Sequence, residues 1–168
     1  GGRVEITRKL LQQSSPAAEA LVWNDLNRSI ALKIDHAAYY GSGSANQPLG
    51  LKNISGINAV NFAADNPTFA ELVKMESEIA SDNAEADRMA YVINAAMRGH
   101  AKTTARFGSG TESTIWEAGN TMNGYRTEVT NQIANGDVFF GNFADLIIAL
   151  WGGLDITVDP YSSSAKGG

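Results

Sequence analysis

Two glycine-rich stretches are the places where this sequence could hold a phosphate group. Residues 41–46 (Gly-Ser-Gly-Ser-Ala-Asn) contain two of the three glycines of a dinucleotide-binding fingerprint. They follow a predicted helix rather than a strand, and Asn46 stands where the third glycine should be. Residues 107–110 (Phe-Gly-Ser-Gly) are not followed by the Lys-Ser or Lys-Thr pair of a phosphate loop. We therefore interpret both stretches as turns.

The titratable side chains do not form a known catalytic or metal-binding pattern. The sequence has two histidines, His36 and His100, and no cysteine. Neither histidine belongs to a Gly-x-Ser-x-Gly nucleophile motif, and the two are not spaced as paired metal ligands. The acidic residues Asp82, Glu85 and Asp87 lack the alternate spacing and the glycine of a calcium-binding loop. The sequence thus predicts no catalytic residue, no cofactor and no metal site.

Composition excludes further classes of protein. The chain has 168 residues, with 13 Lys and Arg against 18 Asp and Glu and a formal net charge of −5. This charge argues against a free-standing nucleic-acid binder, which would carry a basic patch. The longest apolar run, residues 146–151, is six residues long, whereas a membrane-spanning helix needs about 20. Charged residues make up 18% of the chain, below the usual ~25%, which indicates surfaces that are meant to be covered.

Apolar periodicity predicts a long first helix. Ser15 can cap it, Pro16 suits its first position, and Gly41 is expected to end it after Tyr40 in a left-handed conformation. Its apolar stripe, with a spacing of four, consists of Val22, Leu26, Ile30, Ile34 and Ala38. At 1.5 Å per residue the helix would be about 37 Å long, which is more than a small globule can cover. Trp23 lies off the stripe, so we expect it on a surface that is covered only in a larger protein.

The remaining chain is expected to combine helices with strands. A second helix is predicted over residues 67–79 with Asn66 as its cap, and a third over residues 95–106. The compact apolar run at residues 89–93 is typical of a buried strand.

Two Asn-Gly pairs predict β-hairpins in the last third of the chain. Asn123-Gly124 and Asn135-Gly136 are the dipeptides that two-residue hairpin turns favour. They separate predicted strands at residues 113–117, 125–133 and 138–140, and further extended segments are expected at 3–7, 146–150 and 154–158. Helices precede strands without regular alternation, so the predicted fold class is α+β.

Three stretches occur in an order that is typical of one known family. The first is residues 10–16 (Leu-Leu-Gln-Gln-Ser-Ser-Pro), followed by a helix with Asn24-Asp25-Leu26 and Ile34-Asp35-His36-Ala37-Ala38. The second is residues 41–51, where Gly-Ser-Gly precedes Asn-Gln-Pro-Leu-Gly-Leu. The third comprises Phe140-Gly141-Asn142-Phe143, Leu146-Ile147-Ile148, Gly152-Gly153-Leu154 and Asp159-Pro160-Tyr161. Together, over about residues 3–161, they resemble the major capsid proteins of tailed bacteriophages, which have the Hong Kong 97-type fold.

The resemblance implies a particular architecture. A long spine helix would be followed by an axial-type domain with a mixed β-sheet flanked by helices and two β-hairpins. Residues 1–45 would be a remnant of the peripheral domain with the spine helix at about 16–40, residues 46–158 the axial domain, and residues 159–168 a flexible or engineered tail. The family's N-terminal arm, extended loop and C-terminal peripheral segment have no counterpart in this sequence. We therefore expect a fragment of a longer protein.

The resemblance also implies a function. The protein would be a structural subunit of an icosahedral phage head, not an enzyme, and would assemble into pentamers and hexamers in the bacterial cytoplasm before residing in the virion. Its partners would be copies of itself, with a scaffolding domain and a maturation protease as further candidates, and neither a membrane nor sequence-specific nucleic acid. The fragment itself is expected to stay small in solution. The candidate subunit contacts are Trp23, Phe107, Gly108, Ser109, Gly110 and Thr111.

Two alternatives remain open at this point. A shell protein of an encapsulin-type nanocompartment would share the fold but would enclose enzymes instead of a genome. A hydrolase with an unrecognised site would instead depend on His36 or His100, and substitution of either histidine would abolish its activity.

Overall fold

A computed structural model describes residues 17–85, 87–108 and 113–149 of the chain. These residues form three α-helices: α1 (Ala17–Tyr40), α2 (Phe69–Ser81) and α3 (Ala95–Thr103). Short 3₁₀ helices lie at Leu51–Asn53 and Phe143–Asp145. The predictions for Ser15, Pro16, the segments at 3–7 and 154–158 and the tail at 159–168 lie outside the described residues.

The described residues also include five strands, which form one mixed sheet. They are β1 (Ala90–Ile93), β2 (Trp116–Glu117), β3 (Thr121–Met122), β4 (Tyr125–Val129) and β5 (Phe139–Gly141). Their order across the sheet is β2-β3-β4-β1-β5. Strand β1 runs parallel to β4 and antiparallel to β5, while β2, β3 and β4 pair antiparallel in sequence. The α+β class and the mixed sheet are therefore confirmed.

The two Asn-Gly pairs form different turns. Asn123 and Gly124 both have positive φ, 51° and 77°, which the type I′ hairpin turn requires, and they join the antiparallel strands β3 and β4. At Asn135-Gly136 the positive φ belongs to Gly136 alone, at 83°, which is typical of a type II turn. Strands β4 and β5 are separated by β1. The prediction of a hairpin at Asn135-Gly136 is therefore wrong.

The core lies where β1 meets the helices. Residues 89–93 were predicted as a buried strand, and β1 confirms this, with Tyr91 and Ile93 fully buried. The buried core cluster comprises Leu72, Tyr91, Ile93, Met97, Ala101, Ile115 and Met122. The Tyr91 hydroxyl donates to the Leu72 carbonyl at 3.0 Å, so its buried polar atom is satisfied. Burial raises the pKa of Tyr91.

Helix α2 is capped by Thr68, not by Asn66 as predicted. The Thr68 hydroxyl accepts from the Glu71 amide, and the Glu71 carboxylate accepts from the Thr68 amide, which together form a capping box. At the other end Asn83 has a φ of 55°. Its amide donates to Ala80 and the next amide donates to Ile79, at 3.0 and 3.1 Å. This is a Schellman termination, with asparagine in the left-handed position that glycine usually takes.

Helix α3 ends at Thr103, three residues before the predicted end at Arg106. The chain leaves the helix because Ala105 forms a β-bridge with Thr114. The Ile115 amide donates to the Thr104 carbonyl at 3.0 Å, and the Arg106 amide donates to Ser113 at 2.9 Å. These pairings outweigh the helical preference of the last predicted turn.

The strand lengths also differ from the predicted ones. Within the predicted segment 113–117 only β2 (Trp116–Glu117) is strand, and β4 ends at Val129 rather than at residue 133. Residues 146–149 do not join the sheet, and they are exposed. No helix in the described parts of the chain is long and apolar enough to cross a membrane.

Candidate functional site

Helix α1 carries apolar side chains on two faces. The predicted stripe of Val22, Leu26, Ile30, Ile34 and Ala38 is its half-buried side. Leu21 is 71% exposed, Trp23 40% and Leu32 41%. Leu21 and Leu32 lie 11 residues apart, about 20° from alignment on a helix of ~3.6 residues per turn. The helix therefore exposes large apolar side chains away from its buried stripe.

The C-terminal end of α1 is joined to the following loop by close backbone contacts. The Gly41 amide donates to the Ala37 carbonyl and the Gly50 amide donates to the Gly41 carbonyl, both at 2.8 Å. A Cβ on Gly41 would lie 2.1 Å from the Pro48 carbonyl oxygen, and one on Gly50 would lie 2.4 Å from the Gly41 nitrogen. Gly41 is not among the residues with positive φ. The predicted left-handed conformation is therefore wrong, and the loop needs glycine there because of close approach.

A polar network joins the end of α1 to the segment before β5. The Tyr40 hydroxyl donates to Asp137 Oδ2 at 2.8 Å and accepts from the Ala134 amide at 2.9 Å. The Lys52 ammonium lies 2.9 and 2.7 Å from the two oxygens of the same carboxylate. The Asn53 side chain donates to the Gly41 carbonyl at 2.8 Å. We call Tyr40, Lys52, Asn53 and Asp137 the helix joint.

Burial and charge act together on the tyrosine of the helix joint. Burial, followed by the hydrogen bond to Asp137, raises the pKa of Tyr40 to about 12, although the Ala134 amide opposes the shift. Tyr40 and Tyr39 both pack on Phe139 in β5, with ring centroids 5.9 and 5.0 Å away. The neutral hydroxyl thus stays a hydrogen-bond donor at any physiological pH, and the aromatic contacts hold its ring in place.

The first residues of the loop after α3 are held in place by contacts with the rest of the fold. Arg106 forms an ion pair with Glu117, and its guanidinium lies 4.8 Å from the ring centroid of Phe69. Phe107 is 71% exposed and meets Phe69 edge-on at 5.5 Å. Gly108 is exposed with a φ of 60°, and a Cβ added to it would meet no described atom within 4 Å. The predicted contact residues Ser109, Gly110 and Thr111 lie outside the described residues.

Glu117 holds the start of this loop in place through its ion pair with Arg106. Burial alone would raise the pKa of Glu117, but hydrogen bonds from the Gly124 amide and the Thr121 hydroxyl, both at 3.0 Å, hold it below its usual value. The Arg106 guanidinium acts in the same direction. The Glu117 carboxylate thus links Arg106, at the start of the loop after α3, to the β3–β4 hairpin.

The two histidines lie in unrelated surroundings. His36 is exposed on α1, with its ring 5.2 Å from that of Tyr40. His100 is half-buried on α3, and its nearest hydrogen-bonding side chain is Thr104 at 3.3 Å.

No set of three or more potential metal ligands occurs among the residues that the structure describes. A cleft of about 40 Å³ is lined by Asn58, Val60, Met75, Glu78, Ile79 and Phe140, whereas ligand pockets measure ~300–1,000 Å³.

The structure separates the predicted contact residues into two places. Trp23 lies on α1, and Phe107 with Gly108 lies at the loop after α3. Sequence reasoning missed the helix joint, because Lys52 and Asp137 are 85 residues apart and neither stands in a motif. It also missed Glu117, although an acidic residue beside the Asn123-Gly124 turn was a usable signal.

Comparison with known proteins identifies the family. The whole chain, residues 1–168, matches the family model described as the phage capsid family. The chain belongs to the phage capsid family. The resemblance drawn from the three sequence stretches is therefore confirmed. A protein named major capsid protein from Halomonas phage phiHAP-1 is 37% identical over 167 residues, which is 99% of this chain. This phage capsid family chain spans 27% of that relative's length.

Proposed function

We propose that this chain is part of a major capsid protein and serves as a structural subunit of an icosahedral phage head. The observation that carries the proposal is the match of all 168 residues to the phage capsid family. The relative of 37% identity is named a major capsid protein. The subunit would work by non-covalent assembly and not by enzymatic catalysis, and it would be found in the virion after assembly in the bacterial cytoplasm.

The proposed division of the chain places a boundary next to the helix joint. Residues 1–45 would belong to a peripheral domain with α1 as its spine helix, residues 46–158 would form the axial domain, and residues 159–168 a tail. In support of this, α1 is joined to the body by Tyr40, Asn53 and the Gly41–Gly50 loop contacts. Among the described residues, the core cluster includes none from α1. These contacts lie at the C-terminal end of α1, which suits a subunit in which neighbouring segments cover the exposed part of the helix.

The proposed subunit contacts are Trp23 on α1 and the loop formed by Phe107, Gly108, Ser109, Gly110 and Thr111. Trp23 and Phe107 are 40% and 71% exposed, and large exposed apolar groups mark surfaces that bind other proteins. The two positions lie on different elements, as heterologous contacts between different surfaces of identical subunits require. Such contacts close into pentamers and hexamers when the rotation between subunits is right.

Assembly of the full-length gene product tests the proposal. We expect closed shells in negative-stain micrographs when it is produced with its scaffolding domain and maturation protease, and small particles for the 168-residue chain alone. Monomeric full-length protein under those conditions would contradict the proposed function. Analysis of the shell contents separates the alternatives, because a phage head takes up the genome whereas an encapsulin-type shell encloses an enzyme.

A further inference from the structure

The two Asn-Gly pairs of this chain offer the same chemistry in different surroundings. At an Asn-Gly pair the backbone nitrogen of the glycine can attack the side-chain carbonyl carbon of the asparagine, since glycine has no Cβ to hinder the approach. The nitrogen attacks after losing its proton, so a hydrogen bond from that N–H to a carboxylate opposes the reaction.

At Asn123-Gly124 both reacting groups are held. The Gly124 amide donates to the Glu117 carboxylate at 3.0 Å, which stabilises the protonated nitrogen. The Asn123 side-chain amide donates to Glu76 Oε2 at 2.5 Å, and Asn123 is half-buried. The Tyr125 hydroxyl fixes the other oxygen of Glu76 at 2.8 Å. This pair is therefore protected.

At Asn135-Gly136 the arrangement is the opposite. Asn135 is exposed, and the Gly136 amide makes no hydrogen bond to any described residue. The side-chain carbonyl oxygen of Asn135 instead accepts from Asn94 Nδ2 at 2.7 Å. A donor at this oxygen withdraws electron density from the carbon under attack and stabilises the negative charge that forms on the oxygen.

Asn94 is itself held in a fixed orientation. It is 4% exposed, and its side-chain oxygen caps α3 by accepting from the Met97 amide at 2.7 Å. With the oxygen committed to the helix, the amide nitrogen points to Asn135. The donor is thus preorganised, because it needs no rearrangement when the charge develops.

We propose that Asn135 is a site of spontaneous deamidation. The Gly136 nitrogen gives its proton to solvent and bonds to the Asn135 side-chain carbon, and the bond from that carbon to the amide nitrogen breaks and releases ammonia. Water then opens the resulting cyclic imide at either carbonyl and leaves aspartate or isoaspartate. Water is consumed, ammonia is released, and no oxidant or reductant takes part.

The product changes the charge next to the helix joint. A new carboxylate at position 135 stands two residues before Asp137, which binds both Tyr40 and Lys52. Isoaspartate would also add one backbone atom to the turn between β4 and β5. Deamidation at this position is therefore expected to loosen the attachment of α1 as the protein ages.

Peptide mapping of the purified protein tests the proposal without any substitution. Trypsin cuts after Arg106, Arg126 and Lys166, so the two Asn-Gly pairs fall in separate peptides, 107–126 and 127–166. After incubation of the folded protein in mildly alkaline buffer, we expect isoaspartate at Asn135 roughly tenfold or more faster than at Asn123, which corresponds to about 1.4 kcal/mol in the barrier. Protein denatured in urea is the control, in which the two rates should converge.

One variant tests the role of Asn94. Asn94→Ser keeps a capping oxygen but removes the amide donor, so deamidation at Asn135 should slow several-fold while Asn123 stays protected. Loss of protection at Asn123 would reveal unfolding of that variant, in which case the comparison within the unsubstituted protein stands alone. Equal rates at the two sites in the folded protein would overturn the proposal, and an unchanged Asn135 rate in a folded Asn94→Ser variant would overturn the role of Asn94.

Discussion

The Tyr40 hydroxyl binds the Asp137 carboxylate at 2.8 Å across 97 residues of sequence. This bond connects the last residue of α1 to the segment that leads into β5. The same hydroxyl accepts from the Ala134 amide, so one atom serves two partners. This polar contact, together with the packing of Tyr39 and Tyr40 on Phe139, thus joins the C-terminal end of the long helix to β5 and the segment before it.

Tyr40→Phe should weaken the helix joint. It removes a donor to a charged acceptor and an acceptor for a backbone amide, so we expect the free energy of unfolding to fall by about 1–3 kcal/mol. Tyr39→Phe is the matched control, because the Tyr39 hydroxyl makes no hydrogen bond to a described residue while its ring keeps the contact with Phe139. Urea denaturation measures both variants. Equal losses in the free energy of unfolding would show that the Tyr40 hydroxyl stabilises the protein no more than the Tyr39 hydroxyl does.

Gly41→Ala should destabilise the loop that follows α1. Its Cβ would lie 2.1 Å from the Pro48 carbonyl oxygen, and because this oxygen is backbone the loop must shift, at a cost of about 1–3 kcal/mol. Gly99→Ala is the control in α3, where nothing lies within 4 Å of the new Cβ and a gain of about 0.5–1 kcal/mol is expected. A thermal melt in which both variants behave alike would rule out the close-approach explanation.

Glu117 should make stability depend on pH in the acid range. Its folded pKa lies below the ordinary value of 4.5, so its contribution is fully present above that pH and is lost as the pH falls through the folded pKa. Glu117→Gln should therefore be less stable than the unsubstituted protein at neutral pH, and the difference should shrink in acid. Glu128→Gln is the control, since the Glu128 side chain is 53% exposed and its pair with Arg126 is worth little. If the difference in stability between Glu117→Gln and the unsubstituted protein did not change with pH, the prediction would be contradicted.

Phe107→Asp should impair assembly without unfolding the subunit. Phe107 is 71% exposed, so a charge there costs little in the free chain but places an unpaired carboxylate in the proposed contact. Phe107→Leu keeps the apolar character and should still assemble. Negative-stain particle counts from the full-length protein provide the measurement, with circular dichroism as the check of folding. Normal shells from Phe107→Asp would remove this loop from the proposed subunit contacts.

Sequence patterns over a few residues were enough to predict the elements that depend only on neighbouring residues in the chain. Helix α1, strand β1 and the type I′ turn at Asn123-Gly124 follow from periodicity, apolar runs and dipeptide chemistry over a few residues. The end of α3 was misplaced because the bridge between Ala105 and Thr114 is a tertiary contact that overrides helix preference. Asn135-Gly136 was misjudged because one dipeptide suits both hairpin and type II turns.

The proposed subunit contacts were chosen from residue type and position in the sequence. Trp23 was chosen because it lies off the apolar stripe of α1, and Phe107 because it opens a glycine-rich stretch; both are exposed in the structure. The helix joint could not be predicted, because Tyr40, Lys52 and Asp137 become neighbours only after β5 pairs with β1. Pairing of segments this far apart leaves no local signal in a single sequence.

The edge strands of the sheet are short. Among the residues that the structure describes, the outermost strands are β2 and β5, which have two and three residues, so each offers few free backbone groups to another strand. Subunits of a shell gather at high local concentration before their correct contacts form, and long open edges would then invite β-aggregation. In the proposed shell subunit, short edge strands would direct association towards side-chain surfaces, where geometry can be specified, and away from backbone pairing, which accepts almost any partner.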